Sequence, residues 1–506
     1  EILTKNSSLD TLYFKDYFSY LKDILTSFNQ YPLERLDLAV NFEDFIALEC
    51  SRKDLENCSK DGWIRGPKII LKNQIYDVKL RAKGDRKIHK ENIKKMSFKV
   101  DLRGDKKIYG MEEFSLQLPV IRNYSMEPLI AKLLREQDLI SPRNKYVKFF
   151  MNGEYLGIRH IEEGFSKEIV ENSKRRYGPI FSLDEESGKP FIKNRFDLHD
   201  RKNWTLDKNN LSNSGLSILR HLQNKSEDIN LYFDVDKWAK YFAMLDSFNM
   251  IHGTLPKSVK FYLNPITGLF EPIFFDGHFG IGLFDNFLLS DFISSDNSLP
   301  ECRYTCNEVD FYRMFFGNGK KVNRQFLKKY LYYLKKFSSE KYVENNFNKQ
   351  WENFSGLRAN FYKEFNKRDQ AYHQGIFPHV APKNRIYERL KKIRNIVEIS
   401  EKEIPNHSFD FKNNIISIEN INSKIPQNYK IYCETKKPLT EVFLIKDLPL
   451  YFNIKKINEK CNYENIKFSI NGGEIKNFIK NTMVGDMDLE YKLKNESNNI
   501  FFKNKI

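Results

Sequence analysis

The sequence predicts an α+β protein whose strand-rich first part gives way to a helical part and then to an all-β tail. Three observations predict it. Runs with period-two alternation crowd residues 66–185, helical periodicity dominates 206–250 and 322–398, and after about residue 405 short alternating runs with Asn and Gly turns return. The division that follows is a helical extension over 1–65, a β-rich unit over 66–185, a helical unit over 186–400 and a β tail over 405–506.

The elements justify themselves in order. Residues 1–60 mix short amphipathic helical stretches, such as 12–28, with polar breaks. Lys68–Lys72, Tyr76–Arg81, Met96–Leu102 and Phe114–Leu118 read as strands. Ser125 reads as an N-cap, with Glu127 and Pro128 in the first turn of a helix running to about Gln137. Pro142 prevents its continuation. Tyr146–Met151 and Glu154–Ile158 flank Asn152-Gly153, the pair that supplies two positive φ values for a type I′ hairpin turn. A second hairpin joins Val259–Leu263 to Phe270–Phe275 across Asn264–Gly268. Basic helices fill 322–398, and Ile470–Ile475 in the tail has a solenoid-like look.

Composition narrows the function classes. The 506 residues are 41% hydrophobic and 14% aromatic, enough for large cores and incompatible with a disordered chain. The 83 Lys+Arg against 67 Asp+Glu give a formal charge of +16, but the basic residues are dispersed rather than clustered, so a nucleic-acid partner is not expected. No apolar run of about 18 residues exists, so no membrane span is expected. The six cysteines show no C-x-x-C pair, and neither a zinc site nor a disulfide framework is expected in a chain this long. Because residue 1 is Glu rather than Met, the lack of a visible leader carries no weight, and cytoplasmic and cell-surface placements both stay open.

Three constellations carry chemistry. Arg81-Ala-Lys83-Gly84, with Lys94, Lys95 and Lys99 shortly after, could converge on a polyphosphate, or could be the solvated face of an edge strand. The Asn152-Gly153 hairpin ends in Glu162-Glu163, and Glu163 is a candidate acid. Phe274-Phe275-Asp276-Gly277-His278 puts a carboxylate directly after an apolar strand, the way an oxygen ligand for Mg²⁺ is presented. His252-Gly253 lies on the loop after a helix, one hairpin upstream. Helix, loop, hairpin and acid is also the layout of a kinase catalytic segment.

These residues together resemble the CotH kinase family. The resemblance rests on Ser141–Glu163, Arg81-x-Lys83-Gly84, the Lys95-x-Ser97-Phe98-Lys99 strand and the segment from Asp276 to Gly282. It runs from about 66 to 290, extends to the helices to about 398, and leaves out the tail. It implies a two-lobed atypical protein-kinase-like fold around an ATP cleft, phosphorylating hydroxyls of a surface protein or glycan with Mg²⁺ or Mn²⁺. The family is associated with Ser phosphorylation of spore-coat proteins. Arg81, Lys83, Lys95 and Lys99 would face the nucleotide, with Glu163 as the acid after the hairpin. Asp276 would hold metal. Two departures stand out: His252 occupies the place of a loop Asp, as the candidate base, and His278 that of a second acid, as a candidate metal ligand. Neutral imidazole can take a proton but is a poor Mg²⁺ ligand, so Asp246, Asn249 or Asp285 would have to supply further donors. The alternative is a pseudokinase, the same scaffold binding a nucleotide or a partner without turnover.

Overall fold

The computed structural model describes residue 25 and residues 31–477 apart from 54–61, 85–88, 90–91, 184–192, 205–209, 225–228, 279–287, 294–308, 319–320, 369–382, 403–405, 411–414, 420–425, 434–436, 445–449, 454–460, 462–465 and 471–474. It is a mixed α+β structure.

Seven strands close into a barrel in the order β1-β2-β3-β4-β5-β7-β6. They are β1 (Glu34–Ala39), β2 (Lys68–Leu71), β3 (Gln74–Ala82), β4 (Phe98–Leu102), β5 (Glu113–Gln117), β6 (Asn144–Met151) and β7 (Glu154–Glu163). The alternation in the sequence fixes which way each strand faces. Tyr76, Val78 and Leu80 of β3 and Phe98, Val100 and Leu102 of β4 are buried in the barrel core, while Lys79, Arg81, Lys99 and Asp101 stay on its outer face.

The Asn152-Gly153 turn has φ of 47° and 85°, so both residues use left-handed backbone, as a type I′ turn requires. Asn152 also exchanges side-chain hydrogen bonds with the backbone of Val40, at 2.8 and 2.9 Å. That pins the hairpin to the end of β1. Closure depends on β1, which runs antiparallel to β2 and parallel to β6. Residues 34–39, expected within a helical extension, are a strand instead, with Leu36 and Leu38 fully buried in the barrel wall.

The second core belongs to the helices. Val235–Ser247 contributes Trp238, Tyr241 and Phe242, and Trp238 stacks on Phe315 of helix Val309–Phe316 at 4.8 Å between ring centres. Helix Arg324–Ser338, capped by Asn323, adds Phe326 and Tyr330. A four-stranded sheet, β11-β10-β8-β9, packs into this part from β8 (Ile180–Leu183), β9 (Phe196–Leu198), β10 (Lys260–Leu263) and β11 (Phe270–Ile273). The β10–β11 hairpin matches the sequence reading, and Gly268 closes its turn at φ 71°.

Beyond Lys402 the described elements are strands in two antiparallel sheets. Of the solenoid-like stretch 470–475, residues 471–474 lie outside the described residues. Ile466–Ile470 pairs antiparallel with both Gln427–Cys433 and Lys476–Asn477. The expected absence of a disulfide framework is corrected. Cys433 and Cys461 form a disulfide inside a small core with Tyr429, Ile431 and Phe468, and Cys50 is disulfide-bonded as well. A core of so few side chains is the setting in which a covalent staple contributes most. Cys302 and Cys306 lie outside the described residues. Among the described residues no helix is long and apolar enough to cross a membrane.

Candidate functional site

Strand pairing places one row of residues side by side on the outer face of the barrel: Arg81 opposite Lys99, Lys99 opposite Ser115, and Ser115 opposite Glu162. Lys83, just past the end of β3, turns back onto this row. Its Nζ donates to Ser115 Oγ at 2.7 Å and lies 3.4 Å from both Gln117 Oε1 and Glu162 Oε2. Gly84 next to it has φ of 89°, and a Cβ there would lie 2.3 Å from the His89 ring. The position therefore demands glycine twice over.

Arg122 links this face to the loop after β11. It ends a short 3₁₀ turn led by Pro119 and is 3% exposed. Nε and Nη2 donate to the two oxygens of Glu162 at 2.7 and 3.1 Å, and Nη1 donates to Asp276 Oδ1. Glu127, in the first turn of helix Met126–Glu136, lies 3.6 Å from Arg122 Nε. The Phe275 ring sits beneath the charges, with the Arg122 guanidinium 4.5 Å, Lys260 Nζ 5.1 Å and Lys83 Nζ 5.7 Å from its centre.

Asp276 and His278 both take left-handed backbone, with φ of 58° and 44°, an uncommon state for residues with a Cβ. Two hydrogen bonds hold the loop there. His252, in the 3₁₀ turn Ile251–Thr254, donates from Nδ1 to the Asp276 carbonyl at 2.7 Å, and the His278 N–H donates to Glu127 Oε1 at 3.1 Å. A carbonyl can only accept, so Nδ1 carries the His252 proton and Nε2 keeps its lone pair. His278 Nε2 lies 2.9 Å from Asp276 Oδ1, and His252 Nδ1 lies 3.5 Å from Oδ2.

The charges tune one another. Burial alone would raise the Glu162 carboxyl, but Arg122 and Lys83 pull it down to about 2. Burial likewise opposes the Asp276 carboxylate, yet Arg122 and the bond from His278 hold it well below the usual range. Burial lowers Lys83 despite its acidic neighbour, raises Glu127, and pushes His252 down to about 4. His252 is therefore neutral at neutral pH.

Of the residues singled out in the sequence, Lys83, His252, Asp276 and His278 belong to this network. The others sit apart from it. Arg81 is exposed over the Trp63 ring, Lys99 pairs with Glu113 at 2.8 Å, and Lys95 lies in the turn before β4. Glu163 points to the other side of β7 from Glu162 and accepts from Arg143 Nε at 3.0 Å and from its backbone N–H at 2.9 Å. The period of two puts the neighbouring acid, Glu162, at the site. Asp246 is not available as a further donor: Arg389 Nη2 donates to it at 2.6 Å, and the Leu289 N–H and Tyr330 hydroxyl fill its other oxygen. Asn249 is buried beside the helix end, and Asp285 lies outside the described residues.

Sequence reasoning gave no role to Arg122 or Gln117. The one usable signal was the Glu162-Glu163 pair, where strand alternation demands that one acid turn away. No curated protein matches the chain. A family model does: that of CotH kinase protein matches residues 80–408, which takes in the barrel from the end of β3 onward, the whole candidate site and the helices that follow it. On that match, which covers well over half its length, the chain belongs to the CotH kinase family.

Proposed function

We propose that the chain is an ATP-dependent phosphotransferase that moves the γ-phosphate to a hydroxyl of a protein or glycan acceptor. In this reading the barrel and the helical part are the two lobes of an atypical protein-kinase-like fold, with the nucleotide between them. The observation that carries it is the continuous network from Lys83 on the barrel to Asp276 on the β11 loop, through Glu162 and Arg122. A cation held against a buried glutamate, facing an aspartate after a strand, is the arrangement that cradles a polyphosphate.

Lys83 and Arg122 supply positive charge to the phosphate oxygens, and the Phe275 ring keeps them partly dry, which strengthens their field. As the acceptor oxygen bonds to the γ-phosphorus, the bond to the bridging oxygen breaks and ADP leaves. The transition state is loose, so the hydroxyl proton leaves late and goes to a lone pair such as His252 Nε2 or to solvent. Divalent-ion use accompanies the family, but two imidazoles and one carboxylate fit Mg²⁺ poorly, because Mg²⁺ prefers six oxygens. No step is therefore assigned to Mg²⁺.

Labelled ATP with candidate acceptors and a panel of divalent ions tests this. Labelling is expected in the wild type and lost in Asp276→Asn; full activity in that variant would sink the assignment. The second reading, a pseudokinase, is favoured by the Arg122 contact, which already occupies Asp276 Oδ1. Thermal stabilisation by ATP with no turnover under any ion would select it.

A further inference from the structure

The donor atoms of His252, Asp276 and His278 lie within 4.8 Å of one another, and among the described residues this is the one group of three so placed. We propose that this triad is a site for a borderline divalent transition ion, of the Zn²⁺, Co²⁺ or Fe²⁺ class, in preference to Mg²⁺. The proposal deepens the phosphotransfer reading and rests on it for the ion's role, though not for the ion's binding.

Donor chemistry favours such an ion. Imidazole nitrogen suits borderline ions, which bind it at about 2.0–2.1 Å, whereas Mg²⁺ demands near-octahedral oxygen and sheds water reluctantly. Three protein donors also leave a coordination position open, the pattern of ions that meet a substrate rather than only brace a fold.

Orientation favours it as well. A ligating histidine characteristically gives its other ring N–H to a carbonyl or carboxylate, which fixes the tautomer and aims the free nitrogen. His252 does this, donating Nδ1–H to the Asp276 carbonyl at 2.7 Å. That bond ties one donor to the backbone of another, so the two move as a unit. The His252 and His278 rings meet edge to face, 4.7 Å between centres and 82° apart.

The backbone frame is also built for it. Left-handed backbone at both Asp276 and His278 is costly and persists only where the surroundings impose it. Glu127, itself buried, imposes it by accepting the His278 N–H at 3.1 Å. The strain sets two potential ligands two residues apart on one side of a tight loop.

The remaining geometry is compatible with closure. Donors on one tetrahedral ion stand about 3.4 Å apart, given bonds of about 2.0–2.1 Å. Because Nδ1 is held by the Asp276 carbonyl, His252 would bind through Nε2, and side-chain rotation brings it, with the other donors, to that separation. Arg122 and His278 both address Asp276 Oδ1, leaving Oδ2 for the ion. For His278 to ligate through Nε2, which now faces Asp276 Oδ1, its ring proton must sit on Nδ1. When bound, the ion would neutralise charge on phosphate oxygens. His252 Nε2 then serves as a ligand, and the late proton of the transfer goes to solvent.

The test uses the full chain, stripped of metal with a chelator and free of nucleotide. Titration with Co²⁺, followed by its visible d–d absorption, and calorimetric titration with Zn²⁺ and Mg²⁺ give the affinities. One ion per chain is expected, with Zn²⁺ and Co²⁺ at least about 100-fold tighter than Mg²⁺. His252→Ala, His278→Ala and Asp276→Asn are each expected to weaken Co²⁺ at least about tenfold, while His221→Ala, on a distant helix, leaves it unchanged. His278→Asp, which restores an oxygen donor, should narrow the Zn²⁺/Mg²⁺ ratio. Far-UV circular dichroism of each ion-free variant identifies any that fail to fold, and His278→Asp then carries the comparison. Equal affinity for Mg²⁺ and Zn²⁺, Co²⁺ binding untouched by all three substitutions, or no binding at all would each overturn the proposal. A chain that binds Co²⁺ but phosphorylates nothing removes only the phosphotransfer reading; one that turns over ATP with Mg²⁺ and binds no Co²⁺ removes only this one.

Discussion

Replacing Glu162 by Gln probes the centre of the charge network. The side chain keeps its size and loses its charge, leaving Lys83 and Arg122 with one anion fewer at a position 4% exposed. Relative to its ordinary value of 4.5, the carboxyl is depressed to about 2, chiefly by Arg122 and then Lys83, against the opposing effect of burial. At about 1.36 kcal/mol per pH unit, that shift corresponds to about 3 kcal/mol of folding stability at neutral pH. The sign follows from the depressed folded value. The contribution is complete above about pH 4.5, the unfolded value, and is lost as pH falls towards about 2, with about 2 kcal/mol left at pH 3.5. Urea unfolding followed by tryptophan fluorescence, at pH 7 and pH 3.5, measures it. The gap between wild type and E162Q should be about 3 kcal/mol at pH 7 and smaller at pH 3.5. A gap below about 1 kcal/mol at neutral pH, or one that holds or widens in acid, would refute the claim that buried cations stabilise this carboxylate.

Three further outcomes are expected. Lys83→Met should weaken ATP at least about tenfold, read as a lost ATP-induced rise in melting temperature; an unchanged rise would detach Lys83 from the nucleotide. Gly84→Ala, which puts a Cβ 2.3 Å from the His89 ring in left-handed backbone, should cost about 1–3 kcal/mol and lower the melting temperature, whereas an unaltered melt would show that the loop yields freely. Paired Cys433→Ser and Cys461→Ser substitutions open a bridge spanning 28 residues and should destabilise the tail strands by about 3 kcal/mol. Hydrogen exchange would then quicken in 427–470 and not in the barrel; uniform exchange throughout the chain would contradict a local staple.

Much of the fold was legible where the physics is local. The alternation of Tyr76, Val78 and Leu80 follows from a strand's two faces, and Asn152-Gly153 marks its turn because few residues take left-handed backbone at low cost. The Ser125 boundary places the helix start correctly, although its hydroxyl makes no capping bond and Glu127 at that start turns out to brace the His278 loop. Asp276 was visible as an acid behind an apolar strand. Glu163 was singled out in place of Glu162 because the pair reads alike in sequence. Only the pairing of β7 with β5, which sets Glu162 opposite Ser115, decides which acid meets Lys83.

By itself, then, the sequence determined the family, the mixed α+β character, the two hairpins and four residues of the candidate network. Tertiary structure alone decided that β1 closes the barrel, that Cys433 finds Cys461, and that Arg122 binds Glu162 and Asp276, which are 40 and 154 residues away from it. The physical reason is one of range. Backbone preference and side-chain period act over a few residues and leave their mark in the chain, whereas a buried charge is satisfied by whichever partner folding brings within about 3 Å, and no spacing in the sequence encodes that meeting.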